Sequence, residues 1–167
     1  MAKKNVNATA AALLGLLHDG PMTGGQLIAE ANRRLGPFWS MTRSQVYREL
    51  PALAEEGYVK VGKPGPRASV PYKITATGKK AFTRWLSEDT GFEQLRNPVA
   101  LRTAFAEHLS PGDVKSMYES ATEYHKAALN DVRAEAKERG DDQHSADALE
   151  FAVGYHKAAL AWLKSVS

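Results

Sequence analysis

Thr23-Gly24-Gly25-Gln26 and Thr42-Arg43-Ser44-Gln45 are two T-x-x-Q segments whose first residues lie 19 positions apart. In each, the threonine hydroxyl can accept the amide proton three residues on, while the glutamine side chain accepts from the threonine amide. That reciprocal pair starts a helix at a defined residue. Two starts so close together leave room for one short helix, a turn and a second helix. After the first box Leu27, Ala31 and Leu35 share a face, and Gly36-Pro37 end the pattern. After the second, Val46, Leu50 and Leu53 recur at spacings of four and three, which faces them to a core. Phe38 and Trp39, between the two helices, are expected as core anchors. Upstream, residues 8–18 read as a first helix closed by Asp19-Gly20-Pro21. The two lysines before it resemble a signal-peptide start, but the apolar run lacks an A-x-A site and ends in a turn. It is about half the ~20 residues that cross a bilayer, and no other segment is long and apolar enough to cross one, so no membrane partner is expected.

Beyond Gly57 the period changes. Tyr58-Val59-Lys60-Val61 alternates as a strand, residues 62–67 form a proline-stiffened basic turn, and residues 70–75 read as a second strand. A helix over residues 77–88 follows, with Ala81, Phe82, Trp85 and Leu86 as its apolar face. Helix, helix, helix, hairpin, helix is the order of a winged helix-turn-helix, whose third helix enters the major groove. The expected fold is therefore mainly α. An α+β winged helix-turn-helix DNA-binding domain with a two-stranded wing occupies residues 1–88, residues 89–98 are a linker, and residues 99–167 form an all-α dimerisation domain.

Charge agrees with this division. Residues 1–88 carry 13 Lys/Arg and 6 Asp/Glu, net +7, whereas residues 89–167 carry 9 and 13, net −4. A basic first half suits a polyanion. There is no cysteine, so thiolate metal sites and thiol nucleophiles are excluded. His18, His108, His125, His144 and His156 are scattered without metal-binding spacing, and no nucleophile elbow, P-loop or dinucleotide fingerprint occurs. No metal, no cofactor and no enzymatic activity are expected, and the location expected is the cytoplasm.

On the helix that Thr42 opens, the face away from the core carries Ser44, Tyr47, Arg48, Pro51 and Glu55, with Arg43 and Gln45 flanking it. Arg can bind guanine bidentately, Gln can pair with adenine, and Ser or Tyr can reach phosphate or base. Lys60, Lys63, Arg67 and Lys73 lie on or beside the wing, placed for salt-sensitive phosphate contact. Lys3 and Lys4 extend the basic set. Pro51 removes the bond to the Tyr47 carbonyl, but helical-wheel counting puts it about 130° from the apolar stripe, where water can satisfy that carbonyl.

The second half begins with a helix at residues 99–109. Ser110-Pro111-Gly112-Asp113 then starts a long helix that runs to about Arg139, Gly140-Asp141-Asp142 break it, and a last helix covers 145–165. On the long helix Val114, Met117, Ala121, Tyr124 and Ala128 keep a coiled-coil-like spacing. The last carries Leu149, Val153, His156, Leu160 and Leu163 on one stripe, and Ala148, Phe151, Tyr155, Ala158 and Trp162 on another. Apolar residues on every side need cover on every side, and a second subunit is expected to supply part of it. Met117, Ala121, Tyr124, Leu149, Val153, His156, Leu160 and Leu163 are the expected dimerisation residues. Tyr-His-Lys-Ala-Ala-Leu occurs at 124–129 and again at 155–160. The two copies are expected to show different faces, Tyr124 on one seam and His156 on the other.

The runs TRSQVYRELPALAEEGYV, PYKITATGKKAFTRWL and LRTAFAEHLSP, with Gly65-Pro66-Arg67 between the first two, resemble the PadR family of bacterial transcriptional regulators. The resemblance is closest to members with a larger, virulence-activator-like helical C-terminal domain. It implies a homodimer on a palindromic operator, usually a repressor, and in some members release from double-stranded DNA by a small effector. Phe151, Tyr155 and Trp162 would suit a small aromatic or hydrophobic effector, although packing explains them as well. Where many members carry an aromatic residue after Thr-Gly, this chain has Gly25. The alternative expectation is a winged-helix protein–protein interaction module without sequence-specific DNA binding.

Overall fold

The computed structural model describes residues 6–65, 69–91, 96–138 and 143–167. Lys3, Lys4, Arg67 and the Gly140-Asp141-Asp142 break lie outside the described residues. The chain divides into two compact units, residues 1–91 and 92–167.

In the first unit, α1 (Ala8–Leu16) starts at Asn7, whose side-chain oxygen accepts the Ala10 amide at 2.9 Å. It runs into a 3-10 turn ending at Asp19. Helix α1 packs against α2 (Gly24–Arg34), α3 (Arg43–Glu55) and α4 (Ala76–Leu86), so it is apolar nearly all round. Leu13, Leu14, Leu27, Val46 and Leu50 are fully enclosed at its centre. Both T-x-x-Q boxes form as read. Thr23 N–H donates to Gln26 Oε1 at 2.9 Å and Thr42 N–H to Gln45 Oε1 at 2.8 Å, each glutamine amide donating back to the threonine hydroxyl. Helix α3 continues through Pro51, which faces solvent.

The two-stranded wing forms as read, β2 (Val59–Val61) pairing with β3 (Pro71–Ile74), and β1 (Met22–Thr23) adds a third antiparallel strand in the order β1-β3-β2. A two-residue strand shows no alternation, so nothing in its sequence announces it. Phe38 and Trp39 are not core anchors. They are 37% and 41% exposed, because the turn after α2, with both amides bonded to the Leu35 carbonyl, lifts them to the surface. There they wall an apolar groove with Phe82, Trp85 and Leu86.

Thr75 ties the wing to the helices. Its hydroxyl accepts from Gly78 N–H at 2.9 Å to start α4, and lies 2.8 Å from the Gly57 carbonyl and 3.1 Å from that of Tyr58. Thr75→Ala removes the cap, and an unmet cap typically costs about 1–2 kcal/mol. Chemical denaturation of the variant should show that loss with an unchanged m-value.

In the second unit, α5 (Pro98–Thr103) is shorter than the expected residues 99–109, and a separate 3-10 turn covers residues 106–108. Asn97 caps α5 by accepting from Val99 and Ala100 N–H, each at 2.9 Å. Two long helices, α6 (Pro111–Glu138) and α7 (Gln143–Val166), pack antiparallel. The face of α6 turned to α7 is Tyr118, Ala121, His125, Leu129 and Val132, one residue round from the expected seam. Ala121 belongs to both patterns. Tyr118, Leu129 and Val132 offer more apolar area to α7 than Val114, Met117 and Ala128, which decides the rotation.

Candidate nucleic-acid interface

The N-terminal turn of α3 presents Thr42, Arg43 and Ser44 to solvent, and Tyr47 and Arg48 follow on the same exposed side. No acidic residue occupies the first turn, so nothing on the helix opposes an anion at its positive end. Gln45 is half-buried, and its side-chain oxygen is committed to the cap. It therefore reads bases less freely than expected.

Two residues outside the expected set shape this surface. Gly24, the first residue of α2, is buried, and a Cβ there would come within 2.9 Å of the Tyr47 ring. The bare glycine thus lets the Tyr47 ring, on a residue still 48% exposed, lie against α2. The Arg43 guanidinium carbon stands 5.9 Å from the centroid of that ring, within cation–π range. Glu49 is 7% exposed, and its carboxylate is 3.7 Å from Arg48 Nε. Neither contact has a local sequence signal. A Gly-Gly pair after a capping threonine suits any helix start, and a glutamate beside an arginine suits any surface.

On the wing, β2 and β3 pair so that Lys60 stands directly opposite Lys73, both exposed. Like charges facing across strands are destabilising. The pair is therefore costly in isolation and relieved by an anion. Lys63 is exposed in the turn.

The sequence profile of the transcriptional regulator PadR-like family matches residues 13–84, which contain both capping boxes, α3 and the wing. Over those residues the chain is similar to the PadR-like transcriptional regulators. The negative transcriptional regulator PadR of Bacillus subtilis is 28% identical over 126 residues, 73% of this chain and 69% of that protein. Its crystal structure with operator DNA has a TM-score of 0.75 at 25% identity, covering 93% of this chain and 94% of the other. Its structure with p-coumaric acid has a TM-score of 0.72 at 26% identity, with coverages of 93% and 94%. The Vibrio cholerae virulence activator AphA shares the fold, with a TM-score of 0.73 at 20% identity and 95% of each chain covered.

In the second unit of the chain, the expected dimerisation residues divide. Ala121, Leu149, Val153, His156 and Leu163 are buried within the single chain. Met117 and Leu160 are half-buried, and Tyr124 is exposed. The expected effector residues, all on α7, differ in their surroundings. Phe151 is exposed, Trp162 packs edge-on to Tyr118 with ring centroids 6.4 Å apart, and Tyr155 lies beside His125 and His156. Tyr155 also lines an open groove of about 650 Å³ with Asn97, Arg102 and Tyr124.

The repeated Tyr-His-Lys-Ala-Ala-Leu is read differently once the helices are paired. The expectation that its copies show different faces is overturned. His125 and His156 are both buried and meet across the α6–α7 seam, Nδ1 to Nδ1, at 2.8 Å. The one-residue rotation of α6 puts the histidine, not Tyr124, on the seam. Among the described residues no group of three or more His, Cys, Asp and Glu side chains could hold a metal ion. Nor is any described helix long and apolar enough to cross a membrane.

Proposed function

We propose that this regulator acts as a homodimeric repressor on a palindromic operator. Arg43, Ser44 and Arg48 of α3 enter the major groove, while Thr42, Tyr47, Lys60, Lys63 and Arg67 hold the sugar-phosphate backbone. The carrying observation is the pairing of an acid-free, exposed α3 N-terminus with a wing that sets Lys60 against Lys73. Both features favour phosphate. The complex of Bacillus subtilis PadR with operator DNA supports the reading. Its complex with p-coumaric acid supports release by a small aromatic effector. Two copies would join through the second unit, residues 99–167 acting as the dimerisation domain, with exposed Tyr124 and Phe151 on surfaces that a second copy can cover. The protein works in the cytoplasm, without enzymatic activity of its own.

Titration of a long random duplex across a salt series tests the electrostatic half. Each neutralised phosphate contributes a slope of about −0.9 in log K against log salt. Four or more contacts per dimer give a slope of about −4 or steeper. A flat response removes the DNA reading and leaves a protein-interaction module.

A further inference from the structure

Four rings from the two copies of the repeat, Tyr124, His125, Tyr155 and His156, gather on the α6–α7 seam. The histidines divide its buried apolar lining into two patches, one of Leu129, Val132, Leu149, Ala152 and Val153, the other of Tyr118, Ala121 and Leu163. At 2.8 Å the two Nδ1 atoms share one hydrogen bond, which needs one N–H and one bare nitrogen. Two neutral rings satisfy it, and so does one neutral ring with one charged. Two charged rings do not: both Nδ1 atoms then carry protons, the bond is lost, and like charges face each other inside the seam.

We infer that the His125–His156 pair is an acid-sensitive latch on α6–α7, opened when both rings are protonated. On the reading that this unit joins two copies, opening the latch also weakens operator binding.

The groups facing the pair are two phenol rings, an amide, a guanidinium and one carboxylate already engaged by a hydroxyl. From α6, the Tyr124 ring lies 5.1 Å from that of His125 and 6.3 Å from that of His156. From α7, the Tyr155 ring lies 5.8 Å from His125 and 5.3 Å from His156. From the α5 side, Asn97 Nδ2 reaches Tyr155 Oη at 3.4 Å. The groove beside His125 also carries Arg102, a further positive charge, and Asp113 of α6, whose carboxylate is 2.7 Å from the Ser110 hydroxyl. Among the described residues no carboxylate pairs with either imidazole. Consistent with this, burial holds both histidines below the ordinary value of 6.5, and His125 lowers His156 further. Opening restores the ordinary value and so takes up protons. Seam stability is therefore present above pH 6.5 and is lost as pH falls below it, by up to about tenfold in the opening equilibrium per pH unit for each excluded proton.

The test combines ring NMR titration, amide exchange of α6 and α7 corrected for its intrinsic pH dependence, and operator affinity from pH 7.5 to 5.0 at constant ionic strength. The full-length protein should show both rings titrating below 6.5 in a coupled manner. Seam exchange should rise at least about tenfold between pH 6.5 and 5.0, and operator affinity should fall in the same window. His156→Gln supplies an amide oxygen that can accept from His125 in either charge state, so it should remove the coupled part of the response and leave the smaller part that burial of His125 alone produces. If that variant does not fold, the wild-type titration still decides. Independent rings with ordinary midpoints, or seam protection unchanged down to pH 5.0, overturn the latch. Seam opening at constant operator affinity overturns its coupling to DNA. Absence of DNA binding at every pH, with the ring titration as stated, counts against the functional reading while supporting the latch itself.

Discussion

Gly78→Ala should destabilise the N-terminal unit by about 3 kcal/mol, near the upper end of what one added methyl group does to a packed site. Gly78 lies one turn into α4, where the helix passes against the end of β2. A Cβ on its backbone would stand 2.1 Å from the Tyr58 carbonyl oxygen and 3.0 Å from Ile74 Cγ1. A carbonyl oxygen cannot rotate away as a flexible side chain would, and this one is already engaged. It accepts from Thr75 N–H at 2.9 Å and lies 3.1 Å from the Thr75 hydroxyl. Relief therefore requires α4 to move off the sheet, which also disturbs the Thr75 cap. Gly25→Ala is the control, since a Cβ at Gly25 meets nothing within 4 Å. There the change should be neutral or stabilising by roughly 0.5–1 kcal/mol, the ordinary helix preference for alanine. Thermal unfolding of the two variants against the natural sequence should separate them in opposite directions.

Arg48→Ala should weaken binding to the specific operator by about 5–150-fold, the range for loss of one bidentate arginine–base contact of about 1–3 kcal/mol. Its effect on random duplex should be smaller, because a base-reading residue adds little to phosphate binding. Arg48 extends into solvent, so its removal opens no cavity; it does take an ion partner 3.7 Å from the largely buried Glu49 carboxylate, so unfolding of the variant is measured beside its binding. Gly24→Val reaches the same surface without deleting a charge. It drives a branched side chain into the Tyr47 ring and displaces the platform beneath Arg43. If the interface is the one proposed, Gly24→Val should lower operator affinity and spare the salt slope. Equal losses on specific and random DNA for Arg48→Ala would assign that residue to phosphate contact instead of base reading.

Much of this architecture is local, and for that reason legible. Each capping box is closed by residues three apart, so Thr23–Gln26 and Thr42–Gln45 set their helix starts without help from the rest of the chain. Val46, Leu50 and Leu53 announce their burial by spacing alone, and the loss of helical period after Gly57 marks the wing. Phe38 and Trp39 depart from expectation because large apolar side chains ordinarily seek the core, whereas a tight turn on the Leu35 carbonyl decides where they point. On α6, Ala121 is common to two stripes one residue apart, and spacing within a single helix cannot choose between them.

The sequence by itself determined where α2 and α3 start, the order of the long helices and the wing, and the separation of a basic half from an acidic one. These follow from hydrogen bonds and periodicities that act within a few residues. The tertiary structure alone decided which bare backbones are required, at Gly24 and Gly78, because each faces an atom brought in by another element. It alone placed Lys60 against Lys73, through strand register. It also turned α6 so that His125 meets His156, since the total apolar area buried between two helices, and not the pattern on either one, fixes their rotation.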